Sequence, residues 1–279
     1  LARYADEGVR VELITATRGE AGTIFDPSVA TPENIARVRE EELRCACEVL
    51  GIGPARFLPC SDGAVRSCSE DALEPIVRTI REVRPQVMIT FGPDGIYGHP
   101  DHVASGQLAT TAWEKAGDAD VYPQHLDEGL EPYQPARLFY FGLKQSLVER
   151  WRQQADLSVD LNGETLQMTG VPDDQITITL DVSAFAERKA AAWACHRSQM
   201  NPDAPRQAMS EEDDRSWMEQ ESFILARGSE LAPARDGEDL FGGLDLDAGP
   251  GAGSLPAYAT TRRDAAALKR NIGSRLSYL

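Results

Sequence analysis

The residues best suited to chemistry lie in one short segment, Tyr97-Gly98-His99-Pro100-Asp101-His102, which contains two of the four histidines of the chain. A neutral imidazole is a common protein ligand for zinc. A carboxylate such as Asp101 can accept a hydrogen bond from a neighbouring imidazole and so fix its tautomer. With the phenol of Tyr97, these groups could form a hydrolytic centre. Histidines three residues apart also occur in ordinary polar turns, so spacing alone does not decide between the two interpretations.

The elements around this segment indicate where it lies. Val87–Phe91 is a continuous apolar run, typical of a strand buried on both faces. Pro100 suits the first turn of a helix that we predict to extend to about Lys115. The segment therefore joins the carboxyl end of a strand to a helix, where open parallel sheets bind ligands. A catalytic zinc needs about three protein ligands, so further donors must come from elsewhere in the protein.

The remaining pattern alternates between strands and helices in the first half of the chain. We predict strands over residues 9–16 and 56–59, helices over 31–50 and 73–83, strands over 138–141 and 175–181, and a helix over 183–199. Asn162-Gly163 is a hairpin signal. The fold class predicted is α/β: a Rossmann-like, mostly parallel sheet flanked by helices, with an irregular, β-containing second half.

Composition limits the function. The 279 residues carry a formal net charge of −17, which disfavours binding to nucleic acid or to an anionic membrane. No apolar run approaches the roughly 20 residues that span a bilayer. The five cysteines have no zinc-knuckle or redox-pair spacing, so we predict reduced, mostly buried thiols in a cytoplasmic protein. There is no Gly-x-Gly-x-x-Gly or P-loop motif to support nucleotide binding.

The other two histidines have weaker claims to function. His125 lies in a polar, proline-flanked loop, and we predict a surface residue. His196 follows Ala192 and Trp193 on a predicted helix, and packing is its default interpretation.

Several segments together resemble the PIG-L/LmbE-like deacetylases, a family that includes the deacetylases and amidases of mycothiol metabolism. The resemblance begins with the segment 95–102 and extends, in order, over residues 8–243. The other matching segments are Thr17-Arg18-Gly19-Glu20-Ala21-Gly22, Arg39-Glu40-Glu41-Glu42-Leu43 with Leu50-Gly51, Ser61-Asp62-Gly63, His196-Arg197-Ser198-Gln199 and Asp239-Leu240-Phe241.

The resemblance implies a role for each matching residue. His102 is expected to be a ligand of one Zn²⁺ ion. His99 is expected to stabilise the oxyanion or to protonate the leaving amine, with Asp101 orienting it, and Tyr97 to polarise the amide carbonyl. Arg39, Asp62 and Glu20 match substrate-binding positions. Without the family, Arg39 would be interpreted as a surface cation paired with Glu42, and Asp62 and Glu20 as turn residues.

The implied activity is zinc-dependent hydrolysis of an N-acetyl group on an N-acetylglucosamine-like small molecule. The family's first strand ends in an Ala-His-Pro-Asp-Asp-Glu type motif with two further zinc ligands, which we expect upstream of Leu1. We predict a deacetylase domain over residues 1–243 and, over 244–279, a linker followed by a basic tail compatible with a helix. The alternative is a non-catalytic sugar-binding or regulatory relative that has lost the metal site.

Overall fold

The computed structural model describes residues 1–161, 163–201, 209–231 and 239–244, together with the main chain of 275–278. The helices of these parts are α1 Ala2–Asp6, α2 Ile35–Leu50, α3 Ser69–Val83, α4 Gly95–Gly98, α5 Pro100–Lys115, α6 Gln124–Asp127, α7 Gln145–Arg152, α8 Ala186–Ala194 and α9 Glu211–Glu219. The strands are β1 Arg10–Thr15, β2 Arg56–Phe57, β3 Val87–Phe91, β4 Arg137–Gly142, β5 Ser158–Leu161, β6 Glu164–Gln167, β7 Ile178–Asp181, β8 Gln220–Gly228 and β9 Arg275–Tyr278.

Seven strands form one mixed sheet in the order β2-β1-β9-β3-β4-β8-β7. The first five are mutually parallel, whereas β8 runs antiparallel to both β4 and β7. Strands β5 and β6 form a separate antiparallel pair. Of the predicted hairpin signal between them, Asn162 lies outside the described residues. The predicted α/β class, with a mostly parallel sheet and an irregular second half, is confirmed.

The alternation of side chains along each strand places hydrophobic residues on both faces of the sheet. On one face, Met88 and Leu138 pack with Ile76 and Ile80 of α3 and Leu108 of α5. On the opposite face, apolar residues of β3 and β4 pack with apolar residues of β1, β7, β8 and the 239–244 segment. These residues are Val11, Val87, Ile89, Phe139, Ile178, Leu180, Phe223 and Leu240. Because β3 is covered on both sides, its carboxyl end is held in a fixed position.

A glycine sets how closely α5 approaches β3. Gly106 is buried, and a Cβ atom added to it would lie well inside van der Waals contact with the main-chain oxygen of Phe91. Only glycine allows this approach without a shift of the main chain. The close contact brings the first turn of α5, with Asp101 and His102, up to the end of β3.

The second half departs from the predicted elements. The helix predicted over 183–199 is three pieces: α8 is flanked by short 3-10 turns at Ser183–Phe185 and Arg197–Gln199. Helices α7 and α9 and the long strand β8 were not predicted. Part of the predicted tail, Arg275–Tyr278, is strand β9, which lies between β1 and β3, and not a helix; most of that tail lies outside the described residues.

The prediction of reduced thiols is wrong for four of the five cysteines. Cys45 is bonded to Cys195 and Cys60 to Cys68, and Cys47 is free and buried. Neither pair was recognisable from spacing, because 150 residues separate the first pair and the second closes a loop between β2 and α3. Tertiary structure brings these sulfur atoms together.

The prediction of a surface position for His125 is also wrong, because the side chain has no exposed surface. Its Nδ1 accepts a hydrogen bond from Arg81 at 3.0 Å, and its Nε2 lies 2.6 Å from the carboxylate of Glu74. Arg81 also donates to the carbonyl of Ala116 at 3.1 Å. The segment that carries His125 is therefore attached to α3 by hydrogen bonds. The polar composition of that segment does not indicate this burial.

In the parts of the chain that the structure describes, none of the helices has both the length and the apolar character needed to cross a bilayer.

Candidate active site

The chain turns sharply between β3 and α5, and this turn presents the candidate catalytic side chains. Gly95 and Gly98 have φ of 55° and 81°. Ile96 between them has φ of 70° and ψ of −47°, a conformation that a β-branched residue rarely adopts. Such strain persists only where the surroundings impose it. The turn is therefore held in one shape, with Tyr97, His99 and His102 around it.

His102 is held in an orientation suited to metal binding. Its ring stacks on Phe91 with centroids 4.2 Å apart, and its Nδ1 lies 3.1 Å from the carbonyl oxygen of Gly95. A carbonyl only accepts, so Nδ1 carries the hydrogen and Nε2 keeps its lone pair. Burial, followed by the nearby His99, lowers the pKa of His102, which favours the neutral ring. Neutral imidazole with a free Nε2 is the form that ligates metals.

His99 caps the N-terminus of α5. Its Nδ1 accepts a hydrogen bond from the main-chain N–H of Asp101 at 3.2 Å, so the neutral ring carries its hydrogen on Nε2. Sequence reasoning expected the Asp101 carboxylate to orient this imidazole. In the structure the main chain of Asp101 makes the contact, because the carboxylate turns the other way.

The Asp101 carboxylate is buried and accepts two main-chain hydrogen bonds from the loop after β2. Gly63 N–H lies at 2.6 Å and Val65 N–H at 3.2 Å. These bonds join the loop that carries Asp62 to the helix that carries His102. Asp101 thus couples the predicted substrate-binding loop to the predicted catalytic turn.

Three aromatic rings face one another at the turn. The ring centroids of His99 and His102 are 4.8 Å apart, and the Tyr97 ring lies 5.8 Å from the first and 5.3 Å from the second. Burial raises the pKa of Tyr97, and the charge of Asp62 raises it further. The phenol therefore stays protonated at neutral pH and can donate a hydrogen bond.

The three predicted substrate-binding residues lie together on the neighbouring loops. The guanidinium of Arg39 donates to the carbonyls of Gly19 and, at 3.0 Å, of Thr23. Glu20 accepts the main-chain N–H of Asp62 at 3.0 Å. Arg39 is therefore a buried residue that holds the 17–23 loop, not the surface cation that the alternative interpretation would give.

Two polar atoms of this group have no hydrogen-bond partner among the described residues. They are Oε2 of Glu20 and Nε of Arg39, and both are buried. Buried polar atoms are normally satisfied, and an unpartnered one calls for an explanation. The carboxylate of Asp62 accepts the main-chain N–H of Ala21 at 2.9 Å and approaches the Thr17 hydroxyl at 3.5 Å.

Sequence reasoning gave Glu42 only the role of a surface partner of Arg39, but its carboxylate fixes the segment after α8. Its buried carboxylate accepts the N–H of Ser198 at 2.6 Å and the hydroxyl at 2.8 Å. The Ser198 carbonyl in turn accepts the N–H of Phe25 at 3.0 Å. His196, which is half-buried, is bonded through Nδ1 to the Gln199 amide at 3.2 Å and has a pKa lowered by burial. The His-x-Ser-Gln pattern was the available signal.

Comparison with known proteins identifies the family of this chain. The family profile for PIG-L, GlcNAc-PI de-N-acetylase, matches residues 1–113. The 1D-myo-inositol 2-acetamido-2-deoxy-alpha-D-glucopyranoside deacetylase 1 of Frankia alni is 32% identical, over 88% of this chain and 94% of its own length. The chain belongs to the PIG-L family. Of the segments that suggested the family, those at 17–22, 39–43, 61–63 and 95–102 fall within the matched region.

Solved structures share the fold of this PIG-L chain. The N,N'-diacetylchitobiose deacetylase from Pyrococcus horikoshii superposes with a TM-score of 0.59 at 20% identity, covering 80% of this chain and 75% of that one. The 4-carboxy-2-hydroxymuconate hydratase from Pseudomonas putida gives 0.58 at 17% identity, covering 83% and 90%. One fold thus carries two different reactions, and the fold alone does not decide the chemistry.

The described residues of the PIG-L chain fit a metal ion only in part. His102 offers a neutral imidazole whose Nε2 is free, as a ligand requires. No group of three or more His, Cys, Asp or Glu side chains with metal-binding geometry occurs within the described ranges. These residues therefore supply one donor and not a complete site, and the prediction of upstream ligands stays a prediction.

Proposed function

We propose that this protein hydrolyses the acetamide of an N-acetylglucosamine-type conjugate, releasing acetate and the free amine. The observation that carries the proposal is the turn at the end of β3, where Tyr97, His99 and His102 converge with defined donor and acceptor atoms. Deacetylases of such a sugar conjugate are 32% identical to this chain over most of its length. The substrate class inferred is an amino sugar linked to a polyol such as inositol.

We further propose Zn²⁺ as the cofactor, with His102 as one donor. A bound zinc ion lowers the pKa of water and polarises carbonyl groups. The residues of this chain would act around it. The phenol of Tyr97 donates a hydrogen bond to the carbonyl oxygen of the substrate. Burial supports this role because it raises the pKa of Tyr97 and keeps the phenol protonated.

The hydrogen bonds of His99 favour one of the two roles that the family resemblance left open. With Nδ1 accepting the N–H of Asp101, the neutral ring can donate only from Nε2. A doubly protonated ring would place two N–H hydrogens face to face at the start of α5. Stabilisation of the developing oxyanion by Nε2–H therefore fits this geometry better than protonation of the leaving amine.

The substrate would be oriented by the loops beside the turn. Asp62 and Glu20 accept from sugar hydroxyls, and the unpartnered Oε2 of Glu20 supports its inclusion. Arg39 acts on the substrate indirectly: it donates hydrogen bonds to the carbonyls of Gly19 and Thr23 and so positions the loop that carries Glu20. Loss of a carboxylate should raise KM more than it lowers kcat, because the contact is made equally before and during reaction.

The proposal is tested by acetate release from N-acetylglucosaminyl-inositol with the full-length, metal-loaded protein. His99→Ala should lower kcat about 10²–10³-fold, as expected for one lost oxyanion donor. His99→Gln retains an N–H near the position of Nε2 and should recover at least about tenfold of that loss. Gln107→Ala, an exposed position on α5, is the control and should behave as wild type.

Two results would contradict the proposal. If His99→Ala and His102→Ala released acetate at the wild-type rate, the turn would not be the catalytic centre. If the intact protein bound the sugar but released no acetate and held no metal, the non-catalytic, sugar-binding alternative would replace it. Equal loss in His99→Ala and His99→Gln would instead favour a protonating role for His99.

A further inference from the structure

The Cys60–Cys68 disulfide closes the loop that presents Asp62. The loop leaves the sheet after β2 and re-enters regular structure at Cys68, the residue before α3. The two sulfur-bearing residues differ in access: Cys60 is only 4% exposed, whereas Cys68 is half-buried. An external thiol would therefore reach Cys68 first.

The same loop contacts two other parts of the candidate site, the 17–21 loop and Asp101 of α5. Its Asp62 contacts the 17–21 loop through the N–H of Ala21 and the carboxylate of Glu20. Its Gly63 and Val65 N–H groups are both held by the carboxylate of Asp101. The covalent closure reduces the freedom of the loop between these attachments, and constraints of this kind act mainly on the open states.

We propose that Cys60–Cys68 is a reversible modification site for a low-molecular-weight thiol, and that its reduction loosens the Asp62 loop. The consequence for substrate rests on the proposed function; the consequence for the loop does not. A thiolate attacks Sγ of Cys68, forming a mixed disulfide and expelling Cys60 as a thiolate, which takes up a proton. A second thiol then attacks the mixed disulfide, so that two thiols are oxidised to their disulfide and both cysteines are reduced.

The Cys45–Cys195 bond provides a matched control within the same chain. It joins α2 to the residue that follows α8 and is more exposed, with Cys45 at the surface. The segment after it is also held by Glu42 through Ser198, independently of the disulfide. Opening this second bond should leave the Asp62 loop in place.

The test uses the full-length protein in buffers of reduced and oxidised glutathione, with hydrogen exchange measured over residues 60–68. In the Cys45→Ser/Cys195→Ser variant, reduction should speed exchange of the Gly63 and Val65 amides at least about tenfold, as for local opening. KM for the acetamido sugar should rise about three- to tenfold with kcat within about twofold, because positioning and not chemistry is altered. Reoxidation should restore both values.

The Cys60→Ser/Cys68→Ser variant should show fast exchange of the Gly63 and Val65 amides in every buffer. If this variant does not fold, reduction and reoxidation of the Cys45→Ser/Cys195→Ser variant still test the proposal. Equal exchange rates in the oxidised and reduced forms would overturn the proposal. A loosened loop with an unchanged KM would overturn the link to Asp62. If the protein hydrolyses no acetamido sugar, the proposed function fails, yet the exchange rates still give an answer on the disulfide.

Discussion

Replacement of Asp101 by Asn should detach the loop after β2 from α5. Asp101 is 7% exposed, and its carboxylate accepts two N–H groups, at 2.6 and 3.2 Å. A hydrogen bond to a charged group contributes about 1.5–3 kcal/mol, and a buried donor left without an acceptor costs about 1–3 kcal/mol. The asparagine oxygen can accept from one N–H group, but its NH₂ then faces the other. We expect a loss of about 2–4 kcal/mol in the free energy of unfolding, since the two contributions overlap.

Urea unfolding followed by circular dichroism measures this loss, and hydrogen exchange over residues 60–68 locates it. The midpoint should fall while the slope stays constant, because the surface exposed on unfolding is unchanged. Asp156→Asn is the control: this exposed carboxylate accepts the N–H of Ser158 at 2.9 Å, and an amide oxygen can replace it, so we expect the urea midpoint to stay at the wild-type value. An Asp101→Asn protein with wild-type midpoint and wild-type exchange would refute the coupling of loop and helix.

Three further perturbations follow from the same contacts. Gly106→Ala should lower the free energy of unfolding by about 1–3 kcal/mol through overpacking, whereas Gly53→Ala, with open space around it, should change it little in the same urea titration. Burial lowers the pKa of His102 in the folded protein, so the imidazole of the unfolded chain is protonated at a higher pH than that of the folded chain. As the pH falls below about 6.5, the free energy of unfolding should therefore fall by up to about 1.4 kcal/mol per pH unit. His102→Asn, measured with chelator present, should lack that contribution, and an identical pH dependence in both proteins would contradict the assignment. His125→Ala should cost about 2–4 kcal/mol, because it leaves a cavity at a fully buried ring and removes a hydrogen-bond acceptor of the buried Arg81; a thermal midpoint equal to that of wild type would count against this network.

Short-range sequence patterns predicted those elements whose structure depends mainly on neighbouring residues. The apolar run of β3 and the proline at the start of α5 have the predicted bounds, because burial on both faces and helix initiation leave a direct trace in composition. Helix α7 and strand β8 left no such trace. They are specified by packing against distant parts of the chain, as where β8 pairs with β4 at Phe223 and Phe141.

The site divides in the same way. Residue types and spacing identified the turn with His99 and His102, but not the direction of its hydrogen bonds. That the main chain of Asp101 contacts His99 while its carboxylate reaches Gly63 depends on how α5 lies on β3. The pairing of Cys60 with Cys68 likewise depends on the path of a loop, and no spacing rule specifies it.

The central claim is that the turn at the end of β3 performs hydrolysis of an acetamide. The most direct measurement follows N-acetylglucosaminyl-inositol in water enriched with oxygen-18, quantifying acetate and free amine together. Acetate and amine should form in equal amounts, with one labelled oxygen per acetate, and both should disappear in His102→Ala. Absence of both products from the metal-loaded wild-type protein, or their undiminished formation by His102→Ala, would contradict the claim.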